Sequence, residues 1–191
     1  MFTTKTFSIG PLTGISEKNI EEHLKLYAGY VKNANLIVEK LEEYKKDSEK
    51  YAYELGELTR RFSFEYNGIR NHELYFSQFE GGKNELSEGN LKSSLEKQYG
   101  SLENFLNTFK GVAMTRGVGW VMLYHDLEVG KFIIQWIDEQ HLGHLGSLSP
   151  ILALDMWEHS FIYDYPTSEK KKYIEAFFDN LNWSVVGKRF I

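Results

Sequence analysis

One short stretch of the chain carries a carboxylate and an imidazole at a spacing that suits metal binding. Asp155 and His159 are four residues apart, and Trp157 lies between them. If the chain turns helical at Asp155, both side chains lie on one face of that helix. An oxygen and a nitrogen aimed at one point form half of a site for a first-row transition metal. The alternative is a helix capped by Asp155 with His159 at the surface, so a metal site requires further ligands from elsewhere in the chain.

Apolar periodicity predicts a pair of long helices in the N-terminal part of the chain. The first helix, which Ser16 is placed to cap, repeats apolar residues at steps of four and three, and the second repeats them at steps of seven. The predicted stripe of the first helix consists of Ile20, Leu24, Tyr27, Val31, Ala34, Val38 and Leu41. Two stripes joined by a short connection indicate an antiparallel hairpin of helices.

Two more histidines lie on this predicted hairpin. The charge-rich segment 42–50 predicts the turn, where Asp47 or Ser48 is expected to cap the second helix. His23 and His72 are equally far from this segment along the chain, and such residues lie at the same height in an antiparallel hairpin. We therefore expect the two imidazoles to face each other. For either histidine taken alone, the alternative is a core residue that bonds a backbone or carboxylate partner.

The rest of the chain is predicted to form an α/β domain. Gly81-Gly82 and the polar segment 83–90 separate an N-terminal arm and α-hairpin domain over 1–82 from a C-terminal domain over 88–191. Apolar runs predict three strands, near 117–124, 131–137 and 149–152. We expect an α+β fold in which the long antiparallel α-hairpin packs on a three-stranded antiparallel sheet. The metal should lie between the two domains, because each contributes two ligands.

Composition excludes several classes of protein and of site. The 191 residues are 42% hydrophobic and 26% charged, which is ordinary for a globular protein. A formal net charge of −5 does not favour nucleic acid or anionic membranes as partners. Cysteine is absent, so the sequence excludes disulfides, thiolate ligands and cysteine nucleophiles. The N-terminal residues lack the apolar segment of a secretory signal, and we expect a cytoplasmic location.

The predicted ligands define the chemistry of the site. His23, His72, Asp155 and His159 offer three imidazole nitrogens and one carboxylate oxygen. This set is harder than a zinc thiolate site and softer than a magnesium or calcium site, so it suits iron, manganese, zinc or cobalt. Four protein ligands leave a coordination position of iron or manganese open to water or a small anion. A metal that alternates between the 2+ and 3+ states there could accept one electron and then donate one.

Several motifs of the chain resemble those of the iron/manganese superoxide dismutases. They are His23 followed by Tyr30-Val31, Asn71-His72, Gly117-Val118-Gly119-Trp120, Asp155-Met156-Trp157-Glu158-His159 and Asn182-Trp183. The resemblance covers most of the chain. It implies that His23, His72, Asp155 and His159 bind one iron or manganese ion per chain, and that the reaction converts superoxide to dioxygen and hydrogen peroxide.

The resemblance also assigns roles around the metal. It implies that Tyr30 guards the open coordination position and that Trp120 and Trp157 line the pocket. It further implies a homodimer in which Glu158 contacts the partner's His159 across a two-fold axis.

The chain departs from the family pattern near the entrance to the site. The spacing from His23 to Tyr30 is one residue shorter than the commonest pattern, and Leu26-Tyr27 replaces a pair of histidines. Ile162 stands where the family usually has a tyrosine, whose side chain pairs with one of those histidines across the dimer. We therefore expect a rebuilt entrance to the site.

One further side chain is expected to donate a hydrogen bond to the solvent molecule on the metal. The family supplies this glutamine or histidine from one of two places, and Gly68, one turn before His72, has no side chain for it. Gln140 and His141 in the loop before the third strand are the candidates, with His141 favoured and His144 next. His125 is interpreted as a surface residue.

Two other functions remain open from the sequence. The first is a relative of this family that holds zinc or iron as a metal store or sensor, without efficient dismutation. The second is an interaction module whose long hairpin binds a helix of a partner, although a protein core explains the same apolar stripe equally well.

Overall fold

A computed structural model describes residues 1–190 and confirms the predicted α+β fold. An N-terminal pair of long helices packs against a three-stranded sheet that is flanked by shorter helices. The helices are α1 (Glu17–Tyr44), α2 (Ala52–Ser77), α3 (Asn90–Tyr99), α4 (Leu102–Ala113), α5 (Lys170–Asn180) and α6 (Trp183–Gly187), and the strands are β1 (Gly119–Asp126), β2 (Lys131–Asp138) and β3 (Pro150–Asp155). None of the helices in the described part of the chain has both the length and the hydropathy of a membrane span.

The predicted cap of the first helix is confirmed, and the predicted cap of the second is wrong. The side chain of Ser16 accepts a hydrogen bond from the third residue of α1, as an N-cap does. A 3-10 turn over Lys45–Asp47 and four further turn residues precede α2, whose N-cap is Tyr51. Asp47 and Ser48 therefore lie too far from the first turn of α2 to cap it.

The buried side of α1 shifts along the helix. Tyr27, Val31 and Ala34 are buried as predicted, but Ile37 is then buried in place of Val38. A straight α-helix has 3.6 residues per turn, so its buried side drifts away from a strict seven-residue repeat. The predicted stripe fails only near the turn, far from the histidine at the other end of the helix.

The sheet brings three chain segments together at one end. Its strand order is β2-β1-β3, and both pairings are antiparallel. In the central strand, Trp120 pairs with Ile137 of β2 and with Asp155 of β3. The start of β1, the end of β2 and the end of β3 therefore lie side by side.

A glycine permits this close pairing. A Cβ atom on Gly119 would lie 2.0 Å from the carbonyl oxygen of Ile137, so a larger residue cannot stand there without moving β2. The carbonyl oxygen of Gly119 also accepts a hydrogen bond from the Met156 N–H at 2.8 Å. The second glycine of the Gly-x-Gly-Trp motif thus lets β1 contact both neighbours beside Trp120.

Gln78 joins the hairpin to the sheet. This buried side chain follows α2, donates from Nε2 to the Ala153 carbonyl oxygen, and accepts at Oε1 from the Ala153 N–H, both at 2.8 Å. The amide thus bonds β3 as a neighbouring strand would. This pair of bonds fixes the end of α2 relative to the strand that leads into Asp155.

Candidate metal centre

Four ligand-type side chains meet where the hairpin contacts the sheet. His23 comes from α1, His72 from α2, Asp155 from the end of β3, and His159 from a 3-10 turn over Glu158–Ser160. One ligand atom from each residue lies within 4.8 Å of the other three. The structure therefore brings together the four residues that the sequence predicts as ligands, two from each half of the chain. We call these four residues the ligand cluster.

The distances in the ligand cluster suit one metal ion. Asp155 Oδ2 lies 3.0 Å from His23 Nε2, 3.2 Å from His159 Nε2 and 3.7 Å from His72 Nε2. Ligands about 2.1 Å from a metal lie about 3.0 Å apart at a 90° angle and about 3.6 Å apart at 120°. His72 Nε2 is buried and has no hydrogen-bond partner among residues 1–190. A metal ion would satisfy this nitrogen, so the donor set fits iron or manganese.

Burial keeps the two histidines of the hairpin neutral. It lowers the pKa of His23, and burial together with the neighbouring imidazole of His23 lowers the pKa of His72 to about 3. Burial alone would raise the pKa of Asp155, but the imidazoles of His159 and His23 outweigh it and lower that pKa below its usual range. Metals bind neutral imidazole and ionised carboxylate. His23, His72 and Asp155 therefore favour the protonation states that a metal requires.

Asp155 and His159 converge through a different local structure from the predicted helix. Asp155 is the last residue of a strand, and Asp155 Oδ1 accepts a hydrogen bond from the Trp157 N–H at 2.8 Å. This bond directs the other carboxylate oxygen at the histidines, and the 3-10 turn then brings His159 back to it. The helical turn that was considered at Asp155 is not formed, because the strand pairing with β1 continues to that residue.

Gly68 has two roles beside His72. Its carbonyl oxygen accepts a hydrogen bond from His72 Nδ1–H at 2.6 Å, which leaves Nε2 for a metal. A Cβ atom at this position would lie 2.4 Å from Cδ1 of Tyr30, which is too close for two carbon atoms that are not bonded. The packing of Tyr30 therefore requires glycine here, and α2 cannot supply a donor from this turn while the ring stays in place.

Three further side chains form a hydrogen-bonded chain beside the ligand cluster. Trp120 Nε1–H donates to Gln140 Oε1 at 2.9 Å, and Gln140 Nε2 donates to the Tyr30 hydroxyl oxygen at 3.0 Å. The ring centroids of Tyr30 and Trp120 lie 5.0 and 5.1 Å from that of His72. Burial raises the pKa of Tyr30, so its hydroxyl stays protonated. The chain thus holds a protonated phenol against the ligand cluster.

Trp157 packs on another member of the ligand cluster. Its ring stacks on that of His159 with centroids 5.7 Å apart, and its Nε1–H donates to the Glu139 carbonyl oxygen at 3.1 Å. The indole therefore ties the turn that carries His159 to the loop that carries Gln140.

The loop after β2 turns Gln140 inward and His141 away. Gln140 is fully buried, whereas His141 is half-buried with its ring edge-on to Phe64 at 5.6 Å. His144, the other candidate, has its Nδ1 2.7 Å from the Tyr124 hydroxyl and its Nε2 3.2 Å from the Gln140 carbonyl oxygen. These positions favour Gln140 over both histidines as the side chain that acts on the site.

Two residues have surroundings that the sequence does not indicate. His125 is half-buried, with its ring centroid 4.9 and 4.8 Å from those of Phe132 and Phe190, so it is a partly covered surface residue. Tyr173 was not singled out, yet its hydroxyl donates to the Asp155 carbonyl oxygen at 2.9 Å. Its place in the apolar pattern of α5 gives no signal of that polar role.

The outer side of the ligand cluster is exposed on the single chain. Glu158 is exposed, and the side chain of His159 retains 20% of its accessible surface. Leu26 on α1 is an exposed apolar side chain, and so are Ile162 and the aromatic Tyr163 in the segment after the 3-10 turn. The 3-10 turn itself contacts α1. We call these five residues the entrance surface.

Comparisons with known proteins match almost the whole chain to one family. Family models described as the alpha-hairpin domain and the C-terminal domain of iron/manganese superoxide dismutases match residues 12–80 and 87–189. The chain is 38% identical over 186 residues to "Superoxide dismutase (Fe)" of Aquifex pyrophilus, covering 94% of this chain and 85% of that protein. It is 35% identical over 182 residues to the protein of the same name from Cupriavidus metallidurans, covering 94% and 90%. It is 30% identical over 188 residues to "Superoxide dismutase (Mn), mitochondrial" of Glossina morsitans morsitans, covering 96% and 85%.

Proposed function

This chain belongs to the iron/manganese superoxide dismutase family, and we propose that its ligand cluster holds the one iron or manganese ion at which superoxide is converted to dioxygen and hydrogen peroxide. The observation that carries this function is the convergence of three imidazole nitrogens and one carboxylate oxygen within 4.8 Å. When bound, the metal supplies the redox chemistry by alternating between the 2+ and 3+ states, which oxidises one superoxide and reduces the next.

The protein's own side chains position a proton for the reaction. Reduction of superoxide to hydrogen peroxide takes up two protons, and the Tyr30 hydroxyl beside His72 is a protonated group in reach of the pocket. Gln140 donates to the Tyr30 oxygen, so the phenol proton is directed away from Gln140. Trp120 holds Gln140 in this orientation, because its N–H occupies the amide oxygen. The three residues thus form one unit that presents a proton to the pocket.

Metal analysis combined with a superoxide-decay assay tests the function. We expect one iron or manganese ion per chain and rapid decay of superoxide in the metal-loaded protein. Zinc as the native metal, or tightly bound iron without superoxide decay, would instead support a metal store or sensor. A chain that binds no metal and only associates with another protein would support an interaction module.

Gln140 is expected to matter more to activity than His141. Gln140→Ala removes the hydrogen bonds to Tyr30 and Trp120, and loss of such supporting partners lowers activity roughly 10- to 100-fold. His141→Ala removes a ring that packs on Phe64 and should leave activity close to that of the unmodified chain. The measurement is metal content alongside superoxide decay for both variants.

The metal content of the two variants is the control for the activity measurement. Both variants keep all four ligands, so both should retain one ion per chain. A loss of activity in His141→Ala with none in Gln140→Ala would restore the preference that the sequence suggested. Unchanged activity in both would remove this loop from the mechanism.

We further propose that the protein is a homodimer joined through the entrance surface. Glu158 is exposed on the single chain although its neighbour His159 belongs to the ligand cluster. A carboxylate there is placed to accept a hydrogen bond from the partner's His159, and ligating imidazoles usually have such an acceptor. Two-fold symmetry makes the contact occur twice. Exposed Leu26 and Ile162 would add apolar contact around it.

Glu158→Ala is expected to weaken the dimer and the metal affinity together, because one contact serves both. Glu88→Ala is the control, since Glu88 is an exposed glutamate in the connection between the hairpin and α3. Analytical ultracentrifugation and metal competition with a chelator measure the two effects. A Glu158→Ala variant that stays dimeric with unchanged metal content would place the interface elsewhere.

A further inference from the structure

The two histidines of the hairpin differ in how the outer edge of each ring is held. His72 Nδ1–H donates to the Gly68 carbonyl oxygen, one turn earlier on α2. His23 has Nε2 in the ligand cluster, and its Nδ1 is buried without a hydrogen-bond partner in the 1–190 range. A ligating imidazole needs an acceptor for its second N–H, which fixes the tautomer and the ring orientation. His23 therefore needs an acceptor that its own helix backbone does not supply.

Asn19 lies one turn before His23 on α1 and is fully buried. Its backbone N–H bonds the Ser16 hydroxyl oxygen, but neither Oδ1 nor Nδ2 of its amide has a partner within the described residues. Residues four apart on a helix are neighbours, and helical side chains lean toward the N-terminus. The His23 ring therefore leans over the Asn19 side chain.

Aromatic rings cover the other sides of His23. Four ring centroids lie 4.9 to 5.0 Å from its own, those of His72, Tyr75, Phe76 and His159. The Tyr75 hydroxyl oxygen lies 3.2 Å from that of Tyr173 and is not a partner of His23 Nδ1, which has none among residues 1–190. Asn19 thus remains as the buried polar side chain with a free acceptor on the side where His23 needs one.

We propose that Asn19 is a positioning residue for the metal ligand His23. One buried water accepts the hydrogen bond of His23 Nδ1–H and donates to the Asn19 amide oxygen, because the two side chains do not bond each other directly. A bridging water would have the polar partners that it needs in Asn19 Oδ1, Asn19 Nδ2 and His23 Nδ1. Asn19 then does for His23 what the Gly68 carbonyl does for His72. This inference rests on the proposed metal site, because Asn19 acts only through a ligand of that site.

Asn19→Leu and Asn19→Asp in the full-length chain test the proposal. The leucine variant has a similar volume and no acceptor, so we expect Mn²⁺ affinity to fall roughly 10- to 100-fold. The melting temperature of its metal-free form should also fall, because the change leaves the buried His23 N–H without an acceptor, so Mn²⁺ affinity is the deciding measurement. The aspartate variant keeps an acceptor oxygen and should keep Mn²⁺ affinity near that of the unmodified chain. Chelator competition measures the affinities.

Asn35→Leu is the matched control. Asn35 lies on the same helix about 18 Å beyond His23 and makes two hydrogen bonds to the backbone of Phe2. This variant should lower the melting temperature and leave Mn²⁺ affinity unchanged. A purely structural role for Asn19 would give the same pattern as the control, whereas a positioning role lowers Mn²⁺ affinity as well.

The outcomes separate the proposal from the function on which it rests. Unchanged Mn²⁺ affinity in Asn19→Leu overturns it, and so does a loss of affinity that Asn35→Leu or Asn19→Asp shares. If Asn19→Leu does not fold, nitrogen-15 NMR of histidine-labelled, zinc-loaded unmodified protein decides. A slowly exchanging His23 Nδ1–H supports the hydrogen bond, and a rapidly exchanging one overturns it. An unmodified chain that binds neither Mn²⁺ nor Fe²⁺ contradicts the proposed function instead.

Discussion

Replacing Asp155 by Ala is expected to abolish tight metal binding and, with it, the conversion of superoxide. Asp155 is the anionic member of the ligand cluster, and its Oδ2 lies 3.0 to 3.7 Å from the three histidine nitrogens. Without it, three neutral imidazoles face a multiply charged cation. We expect Mn²⁺ affinity to fall by more than about 100-fold, which exceeds the loss typical of residues that only support a ligand. Metal content after dialysis against a chelator, with superoxide decay, measures the effect.

Asp155→Asn is the matched variant, because it separates charge from shape. An asparagine can still accept the Trp157 N–H at Oδ1, so the turn toward His159 should persist. If charge is what the metal requires, Asp155→Asn should lose most of the affinity while its metal-free form melts close to the unmodified one. An Asp155→Ala protein that keeps one tightly bound ion per chain would contradict the assignment of the ligands.

Removing the metal is expected to lower the melting temperature by roughly 10 °C. The ion binds only when the hairpin and the sheet are docked, since each contributes two ligands. A ligand at about 1,000 times its dissociation constant stabilises the folded state by about 4 kcal/mol, and each kcal/mol shifts the melting temperature of a chain this size by roughly 2–4 °C. Calorimetry of the metal-free and metal-loaded protein, with Asp155→Ala as the control, measures the shift.

The Asp155→Ala control shows whether the stabilisation comes from metal bound in the ligand cluster. Added metal should stabilise the unmodified chain and leave Asp155→Ala unchanged. Equal melting temperatures with and without metal in the unmodified chain would show that the ion does not hold the two halves together. Equal stabilisation of both proteins would point to metal bound outside the ligand cluster.

The ligand cluster was predictable because helix geometry and a short spacing in the chain determine where its four residues lie. His23 and His72 stand at matched heights on an antiparallel hairpin, so their meeting follows from helix geometry and the position of the turn. Asp155 and His159 are so close in the chain that a strand followed by a single turn still brings them together. Their convergence therefore does not depend on whether a helix or a strand with a turn carries them.

The choice between Gln140 and His141 was not predictable in the same way. Backbone hydrogen bonds between Asp138 and Leu142 close a tight turn, and Glu139 within it has a φ of +52°. Residues other than glycine rarely adopt this left-handed conformation, so pattern reasoning does not anticipate it. That one backbone angle redirects the loop, and it decides which of two neighbouring side chains reaches Tyr30.

The glycine beside Tyr30 constrains how this site can change during evolution. A side chain at Gly68 would meet the Tyr30 ring at 2.4 Å, and Gln140 already bonds the Tyr30 hydroxyl from the other side. A glutamine introduced at position 68 is therefore harmful while Tyr30 and Gln140 keep their places, and loss of Gln140 is harmful while Gly68 remains. Each first step is costly, although both steps together restore a donor. Such sign epistasis means that descendants of this chain should keep Gly68 and Gln140 as a pair, or exchange both with an accompanying shift of Tyr30.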